Sequence, residues 1–232
     1  MGEKALKAPD FYIHGKPYKK GIMFALILVA TFAGMLMQTS LGTAVPTLMK
    51  SFDIDLSTAQ QATTWFLLAN GIMIPLSAFL ATRVSTKWLH VVSYALLFIG
   101  ILITALTPAH SSSWLLFIFG RILAAIAVGI MMPLMQIVIL EMFPGEKRAV
   151  AMGLSGLVVG MSPAIGPTLS GWILEKNHTI LGLTISSSWR TIFVIPLIII
   201  GICFILSFFM MHDIVENKTI KLDFASLILS CI

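Results

Sequence analysis

The chain has 232 residues, of which 58% are hydrophobic and only 11% charged, and its formal net charge is +5. A soluble domain carries about 25% charged residues, so an ordinary soluble enzyme or binding domain is excluded. The basic residues sit in short segments beside apolar runs, which places them against lipid headgroups and argues against a nucleic-acid partner.

In chain order, a basic tail over residues 1–20 precedes 29 uncharged residues between Lys20 and Lys50. Roughly 20 helical residues at 1.5 Å each cross a hydrocarbon core of about 30 Å. A first span is therefore expected at about 21–45. It is too long for a signal-peptide core and more spans follow, so it reads as a retained helix. The stretch between Asp55 and Arg83 predicts a second helix at about 58–82. Residues 91–120 carry no charge and are divided by a polar turn at Pro108–Ser113, giving helices at about 88–107 and 113–139. Arg121 stands alone inside the fourth. Uncharged runs then predict helices at about 149–173 and 191–211. Residues 212–223 form a polar loop, and Phe224–Ile232 opens a seventh apolar segment that stops after 9 residues. This reads as the front part of a longer protein, cut inside its next helix. The fold class is an all-α membrane protein with six transmembrane helices over 21–211.

Basic residues set the expected orientation. One side carries Lys4, Lys7, Lys16, Lys19, Lys20, Arg83, Lys87, Lys147, Arg148, Lys218 and Lys221; the other carries Lys50, Lys176 and Arg190. The positive-inside rule then puts the N-terminus in the cytoplasm and the protein in the plasma membrane. Cys203 and Cys231 both fall in apolar segments and suggest neither a disulfide framework nor a thiolate metal site.

The fifth predicted helix is the most informative. Gly156 and Gly160 are four apart, as are Ser162, Gly166 and Ser170, making small-residue stripes that admit another helix. Pro163 and Pro167 each remove a backbone donor, so the helix should bend there. Tight packing alone explains such stripes; two prolines interleaved with them favour a helix that must flex.

This stretch resembles the antiporter motif of the major facilitator superfamily, a glycine-rich fifth helix ending in Gly-Pro-x-x-Gly-Gly. Gly153, Gly166, Pro167 and Gly171 match, while Ser162 and Ser170 replace glycines. Arg121 to Gly129 resembles the fourth-helix motif built on a buried arginine, with Ala124 where glutamine is usual. Gln38, Thr39, Thr43, Ala44 and Pro46 resemble the first-helix signature of the 14-helix drug:proton antiporters. Glu146-Lys147-Arg148, Trp189-Arg190 and Lys221-Leu222-Asp223 sit where that group has similar elements. The resemblance covers nearly the whole chain from about residue 30 and is greatest to lincomycin-resistance-type exporters. It implies the N-terminal half of a transporter whose missing C-terminal half completes the substrate path.

Departures from the pattern are informative. Met37 stands where many relatives have an acid, and Gly42 where they have asparagine. The loop after the second helix, with Arg83 and Lys87, resembles the family's gating loop, but Thr82 replaces its aspartate. That latch must be weaker or built differently. All acids lie in tails or loops except Glu141, at the inner end of helix four, so no carboxylate falls near the midplane. Proton coupling is expected either in the missing half or through Arg121 and Glu141.

Polar residues expected at membrane depth are Gln38, Thr39, Asn70 and Gln136, with Trp65 nearby. Each either lines a substrate cavity or makes an interhelical hydrogen bond, worth about 0.6–2 kcal/mol. Met35, Met37, Met131, Met132 and Met135 suit a deformable cavity or loose core filling. His14, His90, His110, His178 and His212 are read as tail or loop residues without metal-ligand spacing. No phosphate loop, nucleophile constellation or metal cluster is visible, so neither cofactor nor metal is expected, and an enzyme or ATP-driven pump is disfavoured.

The resemblance implies export of small hydrophobic or cationic drug-like substrates across the lipid bilayer in exchange for protons. Within the fold, the rival is a transporter of a metabolite; the antiporter motif argues against a symporter. From another class, the rival is a non-transporting membrane scaffold; a lone intramembrane charge such as Arg121 argues against it, because such charges are costly and functional.

Overall fold

The computed structural model describes residues 19–180 and 183–214. The N-terminal tail before Lys19 and the apolar segment from Phe224 lie outside the described residues. Among the described residues six helices are long and apolar enough to cross a membrane. The first span is α1 (Lys20–Thr39), continued past a break at Ser40 by α2 (Leu41–Phe52). Ser40 Oγ donates back to the Leu36 carbonyl at 2.6 Å, and such back-bonding bends helices. One turn on, Pro46 cannot donate to the Gly42 carbonyl, which weakens the same region. The helical path thus runs beyond the expected end near residue 45.

Asp53 closes α2 in the left-handed conformation at φ 52°, which a short polar side chain tolerates. Asp55 then caps α3 (Leu56–Arg83) by accepting the Thr58 amide at 3.2 Å. Hydrogen bonding from Thr58, side chain first and backbone second, holds the Asp55 carboxyl below its ordinary range. The remaining spans are α4 (Thr86–Leu106), α5 (Trp114–Met142), α6 (Gly145–Glu175) and α7 (Trp189–Met210). Between α6 and α7, where a plain loop was expected, strands β1 (His178–Ile180) and β2 (Leu183–Ile185) pair antiparallel with Thr179 opposite Thr184. The β-branched residues of Thr-Ile and Leu-Thr-Ile favour that pairing.

The deepest packing is α4 against α5. A Cβ on Gly100 would lie 2.6 Å from the Ala124 nitrogen, and one on Gly120 would lie 2.8 Å from the Gly100 carbonyl oxygen. Only glycine permits that approach, as between helices in lipid generally. α5 is the central helix, with Phe117, Arg121, Ala125, Val128 and Leu134 all buried. α3 and α6 expose much of their surface, including Leu67, Leu68 and Ile72 on one and Val150, Leu157 and Met161 on the other. Such apolar faces suit acyl chains or a further protein surface.

The connections α3–α4 and α5–α6 bring Arg83, Lys87, Lys147 and Arg148 to one end of the bundle, termed the basic end. At the opposite end Phe52, Trp114, Phe117, Trp189 and Phe193 form one aromatic cluster. Trp114 stacks on Phe117 at 5.0 Å between centroids, and Phe52 meets Trp114 edge-on at 5.2 Å. Each such pair contributes about 0.5–1.5 kcal/mol beyond area burial, so α2, α5 and α7 are firmly tied there. Arg190 adds to this knot, lying 4.8 Å over the Trp189 ring and donating to the Thr107 carbonyl at 2.9 Å.

His90 corrects the sequence reading. It lies within the first two turns of α4 and is buried, not in a loop. α4 starts at Thr86, and its phase turns His90 inward.

Candidate functional site at the break in the first span

Arg121 is fully buried on α5. Its Nη1 donates to the Met37 carbonyl oxygen at 3.1 Å, and its guanidinium carbon lies 4.3 Å from the centroid of the Phe66 ring on α3. Met37 lies in the last turn of α1, one residue past the Leu36 carbonyl, which takes the Ser40 amide at 2.9 Å as the last regular bond before the break. The break at Ser40 therefore supplies the acceptor, and Phe66 supplies a π face that partly replaces lost hydration. Reading Arg121 as a cavity-facing charge made Gln38 or another first-span acceptor the expected partner. The acceptor is the backbone of the preceding residue, with Gln38 itself half-buried. Arg121 Nε and Nη2 have no protein acceptor among the described residues.

The same break is joined to α6. Thr39 Oγ1 lies 3.2 Å from the Ser162 carbonyl oxygen, Ser40 Oγ lies 3.2 Å from the Gly166 carbonyl oxygen, and Thr43 hydrogen-bonds Ser170 through the two hydroxyls. One stripe of the antiporter-motif helix, Ser162, Gly166 and Ser170, is thus laid along residues 39–43. A Cβ on Gly166 would overlap Thr39 Oγ1 and come within 3.3 Å of the Ser40 nitrogen. Glycine is required there by close approach.

These hydroxyls also have acceptors in their own helix. Thr39 Oγ1 is 3.0 Å from the Met35 carbonyl, and Ser40 Oγ is 2.6 Å from that of Leu36. A hydroxyl has one proton, so each chooses between its own helix and α6. Breaking the cross-helix bond leaves no donor stranded.

The second stripe behaves differently. Gly153, Gly156, Gly160 and Gly171 are exposed, and an added Cβ at any of them would meet nothing within 4 Å. Pro163 is exposed beside them and Pro167 half-buried, and α6 continues through both prolines. Residue spacing suggested two packing stripes; among the described residues one is occupied.

The other candidate residues are dispersed. Asn70 is buried on α3, four residues beyond Phe66, with its Nδ2 lacking a partner. Trp65 is 45% exposed, and Gln136 is exposed on α5. Glu141 is exposed at the far end of α5, roughly 30 Å from Arg121 at 1.5 Å per residue, so these two are not brought together. Beside it Arg148 donates to the carbonyls of Leu140 at 2.6 Å and Phe143 at 3.1 Å, finishing the helix. Among the described residues no His, Cys, Asp and Glu cluster is placed to hold a metal ion.

The loop after α3 is latched by a residue the sequence reading did not select. Asp213, just after α7, accepts hydrogen bonds from the Ser85 hydroxyl and from the Lys87 amide at 3.1 Å. Asp213 so caps α4 from the far end of the chain, where Thr82 only donates to the Phe79 carbonyl at 2.8 Å. Arg83 is exposed and lies 5.1 Å over the Phe79 ring; Lys87 is half-buried. A separation of 126 residues leaves no local signal for this cap.

The family model for the Major Facilitator Superfamily matches residues 27–227. The chain belongs to that superfamily. It is 38% identical over 218 residues to a Bacillus subtilis (strain 168) transporter of the superfamily, YcnB, covering 94% of this chain and 43% of that protein. It is 36% identical over 215 residues to the lincomycin resistance protein LmrB of Bacillus subtilis (strain 168), covering 93% and 42%. Against the multidrug export protein EmrB of Escherichia coli (strain K12) it is 34% identical over 157 residues, covering 68% and 30%. The chain thus spans less than half the length of these relatives. Among solved structures, the partially occluded inward-open xylose transporter XylE from E. coli matches with a TM-score of 0.68 at 17% identity, over 84% of this chain and 49% of that one. That likeness is one of fold, and this chain matches about half of that structure's length.

Proposed function

We propose that the complete protein exports small hydrophobic or cationic drug-like molecules across the plasma membrane in exchange for protons, and that this chain supplies its N-terminal half. The observation that carries the reading is the junction at residues 39–43. There the break in the first span receives Arg121 on one side and the antiporter-motif helix on the other. A charged group without full satisfaction at membrane depth is a functional site by default. Names of similar proteins support the substrate class: lincomycin resistance and multidrug export are what those relatives are called.

In this reading the basic end faces the cytoplasm. Substrate sits near the midplane between this half and the second one, and access alternates as the halves rock. The exposed glycine face of α6 meets the second half, while the Ser162–Gly166–Ser170 face lets the first span shift by exchanging hydroxyl bonds. Trp65, Asn70 and Gln136 contribute to the cavity, and Arg121 sets the field felt by proton and substrate. Arg83, Lys87 and Asp213 hold the gating connection at the cytoplasmic end.

The test is efflux of a fluorescent cationic dye from a drug-sensitive strain expressing the complete protein. Efflux that stops when a protonophore collapses the pH gradient is expected. Efflux unaffected by the protonophore, or no dye movement alongside uptake of a metabolite, overturns the reading. The 232-residue chain alone should confer no resistance, because only one wall of the cavity is present.

A further inference from the structure

Among the described residues, apart from Arg121, Asn70 and Trp114, four buried side chains carry a polar atom without a protein partner, and three of them lie on one face of α4. Thr86 Oγ1, His90 Nε2 and Tyr94 Oη recur every four residues, all fully buried and all unbonded. The fourth is Thr31 Oγ1 on α1, also buried and unbonded. A Cβ on Gly34 would touch Leu97 at 3.3 Å. α1 and α4 run the same way from the basic end, so stepping three residues back on each brings Thr31 level with Tyr94. None of these groups takes part in the site described above.

The tautomer of His90 follows from its one contact. Nδ1 lies 2.8 Å from the Thr86 carbonyl oxygen, which can only accept, so Nδ1 carries a hydrogen. In the neutral ring Nε2 is then a bare lone pair. It shares its surroundings with the Tyr94 ring, whose centroid is 5.9 Å away at 74° to the imidazole. Buried polar atoms are paired with protein or with ordered water. Three orphans along one face of α4, with Thr31 on α1 level with the last of them, call for water, which makes about three hydrogen bonds when buried.

We propose that Thr86, His90, Tyr94 and Thr31 hold buried water near the basic end of the third span, with His90 Nε2 as its proton-accepting atom. Hydronium in that water gives its proton to the Nε2 lone pair and leaves as neutral water; the imidazolium then donates from both nitrogens, to the Thr86 carbonyl and to water. Other ionisable groups on the surrounding helices are distant or shielded. Arg121 packs at the turn of Gly100, roughly 15 Å along α4 from His90 at 1.5 Å per residue. Glu141 on α5 and Arg83 on α3 are exposed, and Lys20 begins α1 at the surface. Arg190 is at the opposite end of α7, and on the same helix Cys203 is buried beside Tyr94. Asp213 is occupied at the start of α4 by Ser85 and Lys87. Among the described residues, His90 is therefore the buried ionisable side chain whose unbonded lone pair shares the α4 face with these hydroxyls. In the reading proposed above it gives this half a proton-accessible site without a midplane carboxylate, but the hydration stands apart from transport.

The experiment is water-edited solid-state nitrogen NMR on the complete protein, histidine-labelled and in lipid bilayers. His90 is assigned by the signal lost in His90→Gln. Its Nε2 should be unprotonated at neutral pH and receive polarisation from water quickly. Acidification should convert it reversibly to the doubly protonated ring. Tyr94→Phe keeps the ring packing, removes one water ligand and should shift that titration. No transfer from water means a dry core histidine and overturns the site. Water contact without titration overturns the proton-accepting role, as does a titration that Tyr94→Phe leaves unmoved. A hydrated, titrating His90 in a protein that moves no protons with substrate would refute the transport reading while leaving this site intact.

Discussion

Arg121 donates to the Met37 carbonyl across the α5–α1 contact at 3.1 Å, while its Nε and Nη2 find no acceptor in the described chain. One guanidinium thus reads the backbone at the break and keeps two nitrogens, with three N–H donors, in reserve.

Arg121→Lys retains the charge but loses the planar fork that serves Met37 and Phe66 together. Losing a hydrogen bond from a charged group costs roughly 1.5–3 kcal/mol, or one to two powers of ten at about 1.4 kcal/mol per tenfold. In the complete protein, this variant should reach the membrane at normal levels and lose most efflux, with Arg121→Ala worse. Initial efflux rates normalised to surface expression check this. Normal transport by Arg121→Ala would reduce Arg121 to a packing residue.

Gly166→Ala forces a methyl into Thr39. Overpacking of this kind costs about 1–3 kcal/mol, and the variant should unfold at lower temperature in detergent. Thr39→Ala removes the obstructing hydroxyl, so the double variant should recover much of the loss. The double-mutant cycle measures this coupling, and purely additive losses would place the contact elsewhere.

Asp213→Ala removes the cap on α4 and should cost about 1 kcal/mol of local stability, within the range for helix caps. Trypsin cleavage after Arg83 and Lys87 should accelerate on membranes opened at the basic end. Asp213→Asn keeps one acceptor oxygen and should fall between. An unchanged digestion rate in Asp213→Ala would remove the latch.

Orientation is checked by cysteine labelling, with Cys203 and Cys231 first replaced. Ser112 and Lys147 are both exposed, at opposite ends of the bundle. A cysteine at Ser112 should react with an impermeant reagent from outside the cell, and one at Lys147 only from inside. The reverse pattern inverts the topology.

The spans and the buried arginine were legible because lipid tolerates little else than long uncharged helices and rare functional charges. What spacing could not say is which face meets a partner. Gly156–Gly160 and Ser162–Gly166–Ser170 look alike as stripes, yet only the second is filled, because occupancy depends on where α1 breaks. That break arises from hydroxyls bonding their own backbone near Pro46, a choice helix periodicity does not encode. Asp213 was invisible as a cap for α4 because its partners are distant in sequence. For His90, its place at the start of the helix expected at about 88–107 did not show that the helix phase turns its ring inward.

The most direct test of proton-for-drug exchange uses the complete protein in liposomes holding a pH-sensitive dye, with an outward substrate gradient and no initial pH difference. The account predicts that substrate leaving the vesicles drives protons in, acidifying the lumen, and that Arg121→Lys largely abolishes the signal. Substrate efflux with no change in internal pH would contradict it.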